Sequence, residues 1–596
     1  MKLSDYVWDR IAAEGVEDVF MLPGGGCMHL VDSLGRHPKL RFICNLHEQG
    51  TAVAVDAYAQ VRGFGAGLVT TGPGGTNALT GVAAAWLDST PCIFLSGQVK
   101  SPDLRARHGG VRQFGFQEID IIAMATPVTK YAVTVEDPKT IRYHLDRAIH
   151  LARHGRPGPV WIDLPLDVQA AEIDLDNLEG WTPEKAPNVD LSREAAQTLA
   201  LLARAERPAI LVGNGVRLAG AVEDFLRFAE EAGVPVLTTW KAADFLSEDH
   251  PLFAGRPGAS GQRAANLVQQ NSDVLLVLGA RLDLGQVAYM HRLFARGAKK
   301  IVVEVDAAEL AKLEMDLELP VCADAGNFLR ALNAALPDHA QPQREAWLAQ
   351  VQDWKARYPV LRPEYWRAEG HVDAYVLMEV LSEALREGDL LVPGSSGQSS
   401  ELTCQAIRVC RGLRMLNSQG LGPMGFGIPA ALGACIASGG RRTVCVDGDG
   451  GFQMNIQELE VIRRLNLPIT FFVLDNQGYG SIRGSQRAYF QGRLVASDAS
   501  SGLTLPDPLA VAQAYGLSTA RLESHEGFRA KIAELLAQPG PRVCSVKLDP
   551  DQPTLPRVTS YQRPDGTMAT RPMEDMFPLL DREELRANLF IPEANA

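Results

Sequence analysis

A chain of 596 residues is too long for a single hydrophobic core, and at about 150 residues per domain it divides into three or four units. With 46% hydrophobic residues, 22% charged residues and a net charge of -13, the composition excludes a disordered or fibrous chain and offers no basic run of the kind that marks nucleic-acid binding. No apolar stretch reaches the roughly 18 residues of a membrane span, and nine scattered cysteines without a C-x-x-C pair read as buried thiols of a reducing cytoplasm, not as a disulfide framework or zinc site.

The N-terminal stretch MKLSDYVWDRIAAEGVEDVF sets Tyr6, Ile11 and Ala12 among charges at helical spacing and lacks a secretory apolar core, so it reads as an amphipathic helix. Over residues 1–175, short apolar runs (VEDVFML, LRFICNL, GAGLVTTG, PCIFLSG, PVWIDLP) alternate with helix-like segments such as AVAVDAYAQVRG and PKTIRYHLDRAIHLARHG. That alternation predicts βα units and a parallel sheet. A polar, proline-containing stretch, DLDNLEGWTPEKAPNVD, then reads as an interdomain linker.

A second series occupies 190–345, with RPAILVGNG, VPVLTTW, SDVLLVLGA and KKIVVEVD as strands and AVEDFLRFAEEAG as a helix between them. The stretch LAQVQDWKARYPVLRPEYWRAEGH reads as a second crossing. A third series over 370–550 contains DLLVPGSSGQ, RTVCVDGDG, PITFFVLDNQG and PRVCSVKLD, and residues 551–596 are turn-rich and read as a surface tail. The fold class is α/β in three units, without the short fixed period of a repeat array.

The sharpest chemical signal is VCVDGDGGFQMNIQELEVIRRLNLPITFFVLDNQGYG: a strand ending in Gly448-Asp449-Gly450-Gly451, a helix expected over 452–464, and a second strand ending in Asp475-Asn476. Both polar ends then fall at one sheet edge, where ligands of parallel α/β sheets bind. Glycines let the backbone approach a phosphate, and a following helix start offers free N–H groups. Asp449 and the side-chain oxygen of Asn476 are hard ligands for Mg²⁺, which diphosphate, water and a backbone carbonyl such as that of Gly478 complete. GDGG alone is equally a tight turn, and DN alone a strand-end polar pair. Held 27 residues apart across one βαβ unit, they point together to a bound diphosphate.

GDG followed some two dozen residues later by Asn resembles the signature of the thiamine-diphosphate enzymes, and the surrounding sequence resembles their acetolactate synthase branch over almost the whole chain. The resemblance implies three doubly wound parallel-sheet domains: pyrimidine-binding, central and diphosphate-binding. It implies a catalytic glutamate after the second strand of the first domain, where RFICNLHEQGTAVAVDAYAQVRG places Glu48 at a strand-to-helix junction. That carboxyl shares a proton with N1′ of the cofactor's aminopyrimidine and so promotes removal of the C2 proton of the thiazolium. The plain alternative is a helix-start residue favoured by the dipole.

Further positions follow from the same resemblance. Met424 in GLGPMGFGIPA, 25 residues before Asp449, matches the bulky residue wedged between the cofactor rings, although a methionine beside a core helix is ordinarily packing. The carbonyl of Gly422 matches the acceptor of N4′, and Gln398 and Ser399 match diphosphate contacts, Ser399 standing where relatives often have His. Gly25, Gln117 and Lys130 match positions lining the substrate channel, where basic and amide groups orient a 2-oxo acid. The stretches at 255–266, 279–285 and 304–306 resemble segments that cradle FAD in acetolactate synthases and pyruvate oxidases, though Leu282-Asp283-Leu284 has less charge than the synthase pattern.

After Asn476 the chain reads QGYGSIRGSQRAYF, with Ser481 and Ser485 where a biosynthetic acetolactate synthase carries the Met and Trp that shape its acceptor pocket. Loss of an indole opens that pocket. The tail and the GGGCMHL segment resemble, more loosely, acetolactate-synthase-like carboligases of surface-sugar modification. The expected activity is decarboxylation of a 2-oxo acid, pyruvate foremost, with transfer of the two-carbon unit to a carbonyl acceptor. A decarboxylase or flavin-dependent pyruvate oxidase is the rival within enzymes, and a non-catalytic nucleotide-binding regulatory protein the rival outside them. The family's shared active sites imply a homodimer or homotetramer, expected in the cytoplasm, with neither nucleic acid nor membrane as partner.

Overall fold

The computed structural model describes residues 1–184, 189–395, 397–563 and 565–594; residues 185–188 of the expected linker, Ser396, Pro564 and the last two residues of the tail lie outside the described residues. Three six-stranded parallel sheets organise the chain. In the first, β1 (Asp18–Met21), β2 (Arg41–Cys44), β3 (Gly65–Val69), β4 (Cys92–Gln98), β5 (Tyr131–Thr134) and β6 (Pro159–Pro165) lie in the order 2-1-3-4-6-5. The middle sheet comprises β7 (Pro208–Val212), β8 (Val236–Thr238), β9 (Phe253–Gly255), β10 (Val274–Leu278), β11 (Lys299–Glu304) and β12 (Leu319–Cys322), in the order 12-11-10-7-8-9. The third comprises β13 (Leu390–Pro393), β14 (Arg414–Met415), β15 (Thr443–Gly448), β16 (Ile469–Asp475), β17 (Ser518–Leu522) and β18 (Arg542–Lys547), in the order 14-13-15-16-18-17.

Counted from its own first strand, the third sheet repeats the order of the first. The middle sheet, read from its other edge, has the 3-2-1-4-5-6 order of doubly wound dinucleotide-binding folds. Its inner strands are near-continuous apolar runs because helices cover both faces: PAILV and VLLVL are buried at every position. The strands that hydropathy patterning does not reveal are β5, β9, β12, β14 and β17, all sheet edges. Most are short or half-exposed, so no unbroken apolar run announces them.

Two expectations are corrected, for the helix at 452–464 and for the tail. The helix expected over 452–464 is broken into one α-turn (Asp449–Phe452), a 3-10 turn (Gln453–Asn455) and a short helix (Glu458–Arg464), which leaves little macrodipole at Asp449. The second crossing begins within the helix Glu345–Arg357, whose Trp347, Val351 and Trp354 are buried. The expected surface tail buries Val558, Met573, Met576 and Leu585. It docks on the wholly buried helix Arg263–Asn271, whose Asn266, Gln270 and Asn271 donate to Met573 O, Glu574 Oε2 and Asn588 O, each at 2.9 Å. At the N-terminus the helix Leu3–Ala13 buries Leu3, Val7, Trp8 and Ile11. Among the described residues no helix is long and apolar enough to cross a membrane.

A helix pair and an ion cluster are among the contacts that join the domains. Helix Glu48–Arg62 of the first lies against helix Gly427–Ala437 of the third, so closely that a Cβ on Gly433 would stand 2.2 Å from the carbonyl oxygen of Ala54. Asp244 of the middle domain bonds Arg217 and, across the boundary, Arg414, both at 2.7 Å. Burial alone would raise the Asp244 carboxyl; the two guanidiniums outweigh it and hold the group at about 2.

A folded value below the ordinary 3.8 means that this cluster stabilises the fold above pH 4 and that the contribution is lost as the pH falls toward 2. Asp244→Ala is expected to cost about 3 kcal/mol at neutral pH, because it strands two guanidiniums. Chemical denaturation across pH should show the wild-type advantage narrowing on acidification, and an advantage independent of pH would contradict the ion cluster.

Candidate active site

In the third domain the chain leaves the neighbouring strands β13 and β15 in opposite directions, and a crevice opens at their carboxyl ends. β13 is followed by Gly394 and by helix Gly397–Ala406, which carries Gln398 and Ser399. β15 runs into Asp449, and its neighbour β16 into Asn476, the two strands being in register with Gly448 beside Leu474.

Asp449 is buried, with Oδ1 accepting from Gly450 N at 2.8 Å and Oδ2 from Gly478 N at 2.9 Å. Burial lifts its carboxyl to about 6, against the pull of those two bonds. Asn476 donates through Nδ2 to Gln398 Oε1 at 3.2 Å, and its Oδ1 is buried and without a partner among the described residues. The Gly478 carbonyl accepts from Gly480 N at 3.1 Å and retains its second lone pair. Two side-chain oxygens and one carbonyl make too small a set to cage a cation alone, but they suit Mg²⁺ that takes its remaining ligands from a diphosphate and water.

The cradle beside these ligands is backbone. A Cβ on Gly394, Gly427 or Gly451 would lie 2.1–2.7 Å from a carboxylate oxygen of Asp447, whereas Gly448 faces open space. Burial pushes Asp447 up to about 7. Gly450 is pinched between the Tyr479 ring, 2.4 Å from its would-be Cβ, and the terminal methyl of Met424 at 3.3 Å. The Met424 loop is itself held by Asn455 Nδ2 on Gly425 O at 2.7 Å, and Gly422 adopts φ +61° over the carbonyl of Ser395. Gln398, Gly422, Met424, Gly448, Gly450, Gly451, Asn476, Gly478 and Asp449 thus form one cluster, with buried Ser399 beside Gly394.

In the first domain Glu48 opens helix Glu48–Arg62 just beyond β2, is buried, and accepts from Asn77 Nδ2 at 3.0 Å. Gly25 follows β1 and has no heavy atom near a would-be Cβ, while Gly24 and Gly26 press on Thr70 and Thr71. Gln117, at φ +60°, lays its carbonyl on Gly72, which follows β3. Gly25, Glu48 and Gln117 therefore share one sheet edge. Lys130 does not: it precedes β5, at the amino edge, where its ammonium donates to His154 O at 2.6 Å and burial lowers it to about 8.

Sequence reasoning missed Asn77, Asp447 and Arg483. Arg483 is buried and donates to the carbonyls of Asn476 (2.6 Å), Gln477 (3.1 Å) and Pro550 (2.8 Å), fixing the loop that carries Asn476. Nothing in local spacing marks an arginine that serves carbonyls from within a helix. Ser481 and Ser485, in the expected acceptor region, lie exposed on helix Gly480–Tyr489, with Ser485 Oγ on Ser481 O at 3.1 Å.

A cavity of about 1050 Å³ opens where the middle sheet reverses order, between β7 and β10, and reaches both other domains. Gly213 and Gly279 meet there, a Cβ on the former lying 2.3 Å from the carbonyl of the latter. Glu304 ends β11 beside it, raised by burial, and Trp240 presents a buried indole N–H without a partner among the described residues. The volume, strand order and glycines suit a dinucleotide.

Three family models match: thiamine pyrophosphate enzyme, N-terminal TPP binding domain at residues 1–124; its central domain at 195–332; and its C-terminal TPP binding domain at 395–546. The probable acetolactate synthase large subunit of Methanocaldococcus jannaschii is 34% identical over 580 residues, 95% of each chain. The acetolactate synthase isozyme 2 large subunit of Escherichia coli is 34% identical over 92% of this chain and 96% of its own. The acetolactate synthase large subunit of Corynebacterium glutamicum is 35% identical over 85% and 80%.

Gly450→Ala forces a methyl against Tyr479 and Met424 at a cost of about 1–3 kcal/mol. Thiamine diphosphate is then expected to bind roughly tenfold more weakly. Unchanged affinity by fluorescence titration would remove this cluster from the cofactor site.

Proposed function

The chain belongs to the thiamine pyrophosphate enzyme family, and we propose that it decarboxylates a 2-oxo acid, pyruvate in the first instance, and joins the two-carbon unit to a carbonyl acceptor. The observation that carries this reading is the pairing of a buried glutamate at the start of helix Glu48–Arg62 with the orphan oxygen of Asn476 beside Asp449. Asp449, Asn476 Oδ1 and the Gly478 carbonyl hold Mg²⁺. Gln398, Ser399 and the backbone of Gly448, Gly450 and Gly451 receive the diphosphate. Met424 and the Gly422 carbonyl would bear on the cofactor's pyrimidine side, and Glu48 would hold the proton that it exchanges with that ring.

Once bound, the thiazolium supplies the electron sink for loss of CO₂. Gly25 and Gln117 line the approach of the donor from the first domain's edge, whereas Lys130, bonded to His154 O at the opposite edge of the sheet, takes no part in it. The apolar residues left exposed around both edges, among them Phe42, Leu46, Phe116, Leu421 and Ile482, support a second copy of the chain completing the site, hence a homodimer or homotetramer. FAD is the dinucleotide proposed for the central cavity. That cavity keeps the flavin-dependent oxidase as a second reading, which flavin reduction by pyruvate in the absence of oxygen distinguishes.

The exposed Ser481 and Ser485 leave room for an acceptor larger than a second pyruvate. Mass analysis of products from pyruvate with a panel of aldehydes, ketones and nucleotide ketosugars identifies it. Glu48→Gln is expected to lower kcat on the order of 10²- to 10⁴-fold with the cofactor still bound; retention of full carboligation would refute the assignment. Ser485→Trp should shift product from bulky-ketone adducts toward acetolactate, and an unaltered product ratio would place the acceptor elsewhere.

A further inference from the structure

Glu458 is buried at the boundary between the first and third domains, apart from the residues that hold the cofactor and metal. It opens the helix Glu458–Arg464, and its side chain crosses to the first domain. Oε1 accepts from the backbone N–H of Leu46 and of His47, both at 3.0 Å, and Oε2 from Nδ2 of Asn45 at 2.8 Å. Those three residues are the whole loop between β2 and Glu48. A buried carboxylate is tolerated only when its lone pairs are occupied, and here each bond lands on the loop that delivers Glu48.

Gly50 is an independent sign of the same arrangement. It lies in the first turn of helix Glu48–Arg62, and a Cβ there would stand 2.5 Å from Glu458 Oε1. The absence of a side chain at 50 is what lets the carboxylate approach. His47 is held twice, its N–H by Glu458 and its Nδ1 by accepting from Gln49 N at 3.1 Å, so little freedom is left to the next residue. The segment that carries Glu458 begins at Asp449 and passes Asn455, which holds the Met424 loop. One stretch of chain therefore touches the metal loop, the Met424 loop and the Glu48 loop.

We infer that Glu458 is the positioning residue of Glu48, fixing from the opposite domain the loop that sets where the Glu48 carboxyl meets the cofactor's pyrimidine. The inference rests on the proposed role of Glu48. Its test compares full-length Glu458→Ala, Glu458→Gln and Gly50→Ala, saturated with thiamine diphosphate and Mg²⁺. The measurements are the rate at which the cofactor's C2 proton exchanges for deuterium, read by NMR after acid quench, and the cofactor Kd.

Glu458→Ala should slow exchange on the order of 10²-fold, the penalty of a small misplacement at a reacting group. Its Kd should move by less than about threefold. Gly50→Ala should slow exchange in the same way. Glu458→Gln should recover most of the rate, because the introduced amide keeps an oxygen for Leu46 and His47, and Asn45, whose Oδ1 has no partner among the described residues, can turn to accept. If Glu458→Ala fails to accumulate, the other two variants decide. Wild-type exchange in a cofactor-loaded Glu458→Ala or Gly50→Ala protein overturns the proposal. So does a parallel loss of affinity and exchange, which marks a purely structural residue. Glu48→Gln run alongside keeps the two readings apart: exchange untouched by that change defeats the role of Glu48 itself.

Discussion

The close packing of helix Glu48–Arg62 on helix Gly427–Ala437 is the constraint from which the rest of the site follows. Every residue of the second helix is buried, and its composition, GIPAALGACIA, is small enough for two backbones to touch at Gly433 and Ala54. A bulky side chain there would separate the domains before it altered either fold. Glu48 is the first residue of one helix, and Met424 lies just ahead of the other. The carboxyl and the methionine are thus placed by a single contact of apolar, near-featureless surfaces, and Glu458 adds a polar lock beside it.

The three domains divide the work in a way their topologies make intelligible. The first and third share one strand order, so each offers a crevice at the same place, and helices Glu48–Arg62 and Gly427–Ala437 pack across the boundary between them. The middle domain differs in order and opens a separate, larger cavity. Lys241 ties all three together: from the middle domain it donates to Asp88 of the first at 3.0 Å and to Asn417 O of the third at 2.8 Å, close to the loop that leads to Met424. The tail, docked on helix Arg263–Asn271, secures the wall of that cavity through Val558 N on Ala259 O at 2.7 Å.

Buried carboxylates sort by their counter-charges. Asp244 stands between two guanidiniums and is held at about 2. Asp447, Asp449 and Glu458 are comparably buried but meet mainly amide N–H groups, and burial raises them to about 7, 6 and 7. Structural ion clusters are neutralised within the protein, whereas the edge at Asp449 is left short of positive charge, which is the condition under which a divalent cation is welcome. Arg483 is spent on carbonyls of the neighbouring loop and leaves the Asn476 oxygen open.

The sequence by itself determined the class of fold and the inner strands, because buried parallel strands are written as unbroken apolar runs, and it singled out GDG, Asn476 and Glu48 as candidates by their offsets from strand ends. It could not reveal the edge strands, whose half-exposed faces dilute the pattern, nor the docking of the tail, whose partners Asn266, Gln270 and Asn271 lie some 300 residues earlier in the chain. Lys130 resembled its neighbours in a motif, yet the direction of β5 puts it at the opposite edge of the sheet from Glu48. Glu458 reads in one dimension as an ordinary helix residue. Only the folded chain, by setting residues 45–47 against 458, gives that carboxylate three donors and a reason for the glycine at 50.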